Sequence, residues 1–313
     1  MSTKDKFFLG LDIGASSIKF GWGNCQSGLQ HFDKRELVQR SLSCLHNTVA
    51  EIIGECDRVI GLGHILSIGI GTPGTIDLAT RKITGINPNL PFWVDQDPAE
   101  LIPPEIQLPV YFDNDANLMC LGEAWLRGSR GRIAGITVGS GIGCGYVQDG
   151  HVYHGAHGYA MELGHITGIP DGELCSCGRK GCLEAYASIE GIKSRITRIG
   201  LSTTLAPRSG LRELLDAASS DPRVADAIAE GMTELARGIA NFCVIIDPDT
   251  VVIGGGGMDG GLYDWEELRK LIVAFLPPIN ASTTSLERAR EGNRAGVLGA
   301  VVLAEQSLFP GWE

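Results

Sequence analysis

The chain has 313 residues, 43% of them hydrophobic and 20% charged, which suits a soluble globular protein long enough for two buried cores. Its net charge of −11 argues against a nucleic-acid surface, and no apolar run approaches the length a bilayer needs. The polar start Met1–Lys6 runs straight into an apolar strand with no export signal, so the expected location is the cytoplasm.

In chain order, Phe7–Asp12 and Ile18–Gly23 read as a hairpin. Leu42–Cys56 has helical spacing, and Leu66–Gly71 is a strand ending at Thr72-Pro73-Gly74. Val110–Phe112 is a strand running into Asp113-Asn114-Asp115, and Ala116–Leu126 is a helix. Ala134–Val138 and Cys144–Val147 form a second hairpin, which suggests a duplicated unit. Leu211–Asp216 and Val224–Ile246 are helical, Thr250–Ile253 is a strand, and Ala295–Gln306 is a helix. The expected division is a smaller α/β lobe over 1–115, joined by the helix of 295–313, and a larger one over 116–294.

Three glycine-rich turns follow strands. In Asp12-Ile13-Gly14-Ala15-Ser16-Ser17 the turn can hold phosphate oxygens, with Gly14 and Ser16 as candidates, while Asp12 steadies the hydration shell of magnesium. Gly139-Ser140-Gly141 keeps backbone donors open to an anion, and Gly254–Gly257 (Gly255, Gly256 and Gly257 above all) lets a nucleoside lie flat on the backbone. None ends in the glycine-lysine-serine/threonine of a Walker loop.

Asp113-Asn114-Asp115-Ala116-Asn117 packs two carboxylates and two amides into a strand-to-helix junction. A single helix cap accounts for only one Asp. Asp115 is the candidate general base, expected to be kept ionised by the positive end of the helix. His165 with Cys175, Cys177 and Cys182 makes a closed set of one nitrogen and three thiolates, which fits a structural tetrahedral zinc. The other six of the nine cysteines read as reduced and mostly buried.

Over nearly its whole length the chain resembles the ROK group of repressors and sugar kinases, within the actin-like, hexokinase-like ATPases. The resemblance rests on Asp12-Ile13-Gly14, on Asp113–Asn117 followed by Leu121-Gly122-Glu123, on Glu162-Leu163-Gly164-His165, and on the run Cys175–Glu184. It implies a two-lobed α/β fold with a cleft between the lobes, and phosphoryl transfer from ATP with magnesium to a hexose. Glucose at its 6-hydroxyl is the expected substrate. Alternatives are an N-acetylated hexosamine, such as N-acetylmannosamine or N-acetylglucosamine, or polyphosphate as the donor. It also implies that Asn89, Asn114, Asp115, Glu162, His165 and Glu184 meet the sugar, and that the protein is a homodimer or a dimer of dimers. A sugar-responsive repressor needs a DNA-binding segment before the first strand, where only six residues stand. A catalytically dead sugar sensor would have no need of Asp115 and the glycine turns. The chain departs from the family's pattern at three places: Ala15-Ser16-Ser17 in the first turn, Phe92, and Met161, the last two where glycine is common.

Overall fold

The computed structural model describes residues 6–85, 87, 90–128, 131–200 and 210–309. The first elements are β1 (Phe7–Ile13), β2 (Ser17–Asn24), β3 (Gly28–Glu36), α1 (Leu42–Ile60), β4 (Ile65–Thr72), β5 (Thr75–Asp77) and β6 (Lys82–Thr84). Next come β7 (Val110–Asn114), α2 (Asp115–Leu126), β8 (Arg132–Val138), β9 (Ile142–Gln148), β10 (His151–Val152), α3 (Glu184–Ala187) and α4 (Ile189–Arg198). The rest are α5 (Leu211–Ser220), α6 (Pro222–Ile246), β11 (Thr250–Gly254), α7 (Gly256–Asp259), α8 (Trp265–Phe275), α9 (Pro278–Thr283), β12 (Ser285–Arg288) and α10 (Ala295–Leu308). Among the described residues no helix is long and apolar enough to cross a membrane.

Two five-stranded sheets run β3-β2-β1-β4-β7 and β10-β9-β8-β11-β12, and β5 pairs with β6 in a small two-stranded sheet. In both, three consecutive strands lie together and two more join in parallel, β4 and β7 in the first, β11 and β12 in the second. This shared order gives the expected duplication a structural form. Strand β3 has no counterpart among the sequence expectations, because its charged residues Asp33, Lys34, Arg35 and Glu36 hide the strand pattern. Such charge is usual on an edge strand, where it blocks pairing with other chains.

The chain divides into two compact units, one of residues 1–130, 145–160 and 293–313, the other of 131–144 and 161–292. The break after Arg130, rather than at Asp115, reflects how closely α2 packs on α10. A Cβ on Gly299 would stand 1.8 Å from the Leu118 carbonyl oxygen, so only glycine allows this approach.

In the first unit the period of two along β1 sorts its side chains. Leu9, Leu11 and Ile13 enter a core with Phe20, Leu45, Val49, Ile52, Ile68 and Ile70, all fully buried. Each such side chain contributes roughly 1.5–3 kcal/mol by leaving water. The opposite face meets α10: Phe8 packs with Val301 and Ala304, and the Ser67 hydroxyl donates to the Ala304 carbonyl at 2.9 Å. This geometry brings Asp12 to the end of β1 and Asp113 to the end of its parallel neighbour two strands away.

In the second unit β8, β11 and β12 form parallel neighbours, and α6 packs against α3, α4, α5 and α8. Leu235, Ala236, Ile239 and Cys243 of α6 are fully buried.

Candidate active site

In the first unit the turn after β1 is closed by the Gly14 N–H, which donates to the Ser17 carbonyl at 2.8 Å. Ser16 is exposed at the tip, and its carbonyl accepts from the Leu37 N–H at 2.8 Å. Asp12 is only 8% exposed and accepts from Lys19 Nζ at 2.9 Å. The partner follows from the hairpin, in which Asp12 lies opposite Lys19. Sequence reasoning gave Lys19, two residues beyond the Ser17 that ends this turn, no role; counting outward from the turn would have paired it with Asp12.

At the junction of β7 and α2 the helix cap is Asn114, neither of the aspartates. Its side-chain oxygen accepts from the N–H groups of Ala116 at 2.9 Å and Asn117 at 3.4 Å, and its amide donates to the Gly74 carbonyl at 3.1 Å. Asp113 is buried beneath, accepting from its neighbour's backbone N–H and from Asn117 Nδ2. A third partner is His154, whose Nε2 lies 2.6 Å from Asp113 Oδ2. No sequence signal joins His154 to a residue 41 positions earlier.

Asp115 opens α2, and its Oδ1 shares the Ala116 N–H, accepting from it at 2.9 Å. Burial and the nearby Asp12 carboxylate push its pKa from the ordinary value of 3.8 up to about 7. The Ala116 N–H and Lys19 pull the other way and lose. The expectation that the helix end keeps Asp115 ionised is therefore corrected: desolvation and the Asp12 charge outweigh the Ala116 N–H at the helix end. A carboxyl poised near neutrality suits a base that must take a proton and release it again. Asn89 lies outside the described residues.

In the second unit the turn Gly139-Ser140-Gly141 links β8 and β9. Its Gly139 N–H donates to the Gly141 carbonyl at 2.9 Å, and the Ile142 N–H donates to Glu184 Oε2 at 3.0 Å. With those two donors engaged, Ser140 and Gly141 are the turn's candidates for an anion. Glu184, at the start of α3, meets the Ser176 hydroxyl at 3.0 Å with its other oxygen. This one carboxylate thus links the cysteine loop to the glycine turn, a role its position in the sequence did not reveal.

The ligand atoms of His165, Cys175, Cys177 and Cys182 all lie within 4.8 Å of one another. Cys175 Sγ is 3.7 Å from His165 Nδ1, and Cys177 Sγ is 3.6 Å from Cys182 Sγ. A tetrahedral ion with zinc–sulfur bonds of about 2.3 Å sets sulfur–sulfur separations of roughly 3.8 Å, so the spacing fits zinc. His165 Nε2 faces the other way, 4.0 Å from Glu162 Oε2. Glu162 itself is exposed, and Met161 before it has a φ of 66°, in the left-handed region. This strain is the physical content of the departure at Met161, since glycine adopts that conformation freely.

Around Gly254–Gly257, close packing accounts for two of the glycines singled out as a nucleoside platform. A Cβ on Gly255 would stand 2.6 Å from the Val138 carbonyl oxygen, and one on Gly257 would stand 2.9 Å from it. At Gly256 a Cβ would meet nothing within 4 Å, so that residue presents open backbone.

The ROK family profile matches residues 8–307. The chain is 31% identical to the glucokinase of Thermotoga maritima, an alignment covering 96% of this chain and 98% of that one. It is 35% identical to a putative xylose repressor of a Caldicellulosiruptor species, over 79% of this chain and 64% of that one. The solved structure of a ROK family glucokinase from Streptomyces griseus, in complex with glucose and AMPPNP, matches with a TM-score of 0.76 and 27% identity, covering 96% of this chain and 99% of that one.

Proposed function

The chain belongs to the ROK family, with its actin-like, hexokinase-like fold, and on that premise we propose that it is a sugar kinase transferring the terminal phosphoryl group of ATP to a hexose. Glucose is the substrate and its 6-hydroxyl the acceptor. The observation that carries this reading is Asp115, a carboxyl with a pKa of about 7 at the mouth of a helix, near the Asp12 carboxylate.

Phosphoryl transfer asks little covalent chemistry of a protein; it needs positioned phosphates, compensated charge and a base on the attacking hydroxyl. Asp115 takes the hydroxyl proton. Asp12 steadies the water shell of a magnesium ion; its burial and its ion pair with Lys19 suit contact through water better than direct ligation. The turns carrying Ser16 and Ser140–Gly141 offer backbone donors to phosphates, Gly14 and Gly139 closing those turns with their own N–H groups, and Gly256 heads the surface for the nucleoside. Asn89, Asn114, Glu162, His165 and Glu184 hold sugar hydroxyls.

Zinc on His165, Cys175, Cys177 and Cys182 is structural: four protein ligands leave no open position for substrate. It fixes the loop that carries Ser176, and so the carboxylate of Glu184. The same reading makes the protein a homodimer or a dimer of dimers, which light scattering measures.

The test is a coupled assay over glucose, mannose, N-acetylglucosamine and N-acetylmannosamine, each with ATP and then with polyphosphate. Glucose with ATP should give the highest kcat/KM, and 6-deoxyglucose should give no product. A win by an N-acetylated sugar or by polyphosphate overturns the substrate but leaves the reaction class. Sugar binding with no phosphorylation of any sugar favours the sensor or repressor reading.

A further inference from the structure

Asp113 has no role in the chemistry assigned above, yet it is 5% exposed and surrounded by donors. Its Oδ1 accepts from the Asn114 N–H at 2.7 Å and from Asn117 Nδ2 at 2.8 Å. These two donors flank Asp115 in sequence, one on the last residue of β7 and the other in the first turn of α2. The remaining oxygen, Oδ2, meets His154 Nε2 at 2.6 Å. An ionised carboxylate only accepts hydrogen bonds, so Nε2 carries the proton of this pair.

His154 stands just after β10, and its backbone carbonyl accepts from the Ala160 N–H at 3.2 Å. That bond closes the loop on itself at the residue whose imidazole meets Asp113. The bond with Asp113 raises the His154 pKa above its usual value, against the effect of burial. A buried carboxylate that loses such a donor must find water or move, and its backbone and side-chain partners move with it.

We propose that His154 is a positioning residue for phosphoryl transfer, holding Asp113 and through it the Asn114–Asn117 turn that aims Asp115. The proposal rests on the sugar-kinase reading. A purely structural role would cost stability alone, whereas a positioning role lowers kcat in a folded protein and is rescued by a side chain that restores the bond.

The experiment compares His154→Ala with His154→Gln, whose amide nitrogen can still donate to Asp113. His154→Ala should lower kcat by between about tenfold and 10²-fold, with KM for ATP little changed. His154→Gln should recover most of the loss. Hydrogen exchange at the amides of residues 114–117 should quicken in the Ala variant and not in the Gln variant. An unchanged kcat in the Ala variant overturns the proposal, as do equal losses in both variants or unchanged exchange. Should the Ala variant fail to fold, His154→Asn takes its place, since its shorter amide breaks the bond while keeping the site polar. The exchange measurement needs no turnover. If the wild-type protein phosphorylates no sugar, the kinase reading fails, and exchange alone still decides whether His154 holds the turn.

Discussion

Lys19 Nζ sits 2.9 Å from Asp12 Oδ2, directly across the first hairpin, and both charges act on Asp115. Asp12 raises the proton affinity of Asp115 and Lys19 lowers it. Replacing Lys19 with Met should therefore move the acid limb of the kcat/KM profile to higher pH. A shift to lower pH would contradict the electrostatic account.

The raised pKa of Asp115 also has a sign for stability. A carboxyl whose folded pKa lies above its unfolded value contributes most when protonated, and the contribution is lost as pH rises from about 4 through about 7. Asp115→Asn should thus melt higher than the wild type at pH 8, with the gap closing toward pH 4. An equal difference at both pH values would show that the wild-type carboxyl is not perturbed.

Removing one thiolate from the cysteine loop should abolish metal binding, because three remaining ligands no longer close the tetrahedron. Purified wild-type protein should carry one zinc per chain, and Cys177→Ser should carry none. The variant should also bind sugar more weakly, since Ser176 in that loop holds Glu184. Metal analysis of fully reduced wild-type protein that finds no zinc would remove this part of the account.

Met161 tests the strain in its segment. Met161→Gly should be more stable than Met161→Ala by about 1 kcal/mol, because alanine keeps the penalty of a left-handed backbone and glycine does not. Denaturant melts of the two variants measure the difference. The comparison with Ala separates backbone strain from loss of the Met side chain.

Much of this molecule was legible in the sequence. The hairpin of β1 and β2, the β7–α2 junction, the His165 and cysteine set and α10 follow from strand and helix periods, turn glycines and ligand spacing. Local patterns announce local contacts, so what they missed is what depends on distance along the chain or on burial. The His154–Asp113 bond spans 41 residues, and the Ser176–Glu184 bond depends on how one loop folds over. The state of Asp115 was misjudged for a related reason: the helix end is visible in sequence, whereas the desolvation that outweighs it is a property of packing. Gly255 and Gly257 looked like ligand backbone, yet they also serve close packing on Val138.

The central claim is that Asp115 accepts the sugar's proton. Its most direct test is sugar-dependent ATP consumption by purified Asp115→Asn at saturating substrates, alongside sugar binding by calorimetry. The amide can still hydrogen-bond but cannot take the proton, so turnover should fall by roughly 10²–10⁴-fold while sugar binding is largely kept. Turnover close to wild type in the folded variant would contradict the assignment of the base.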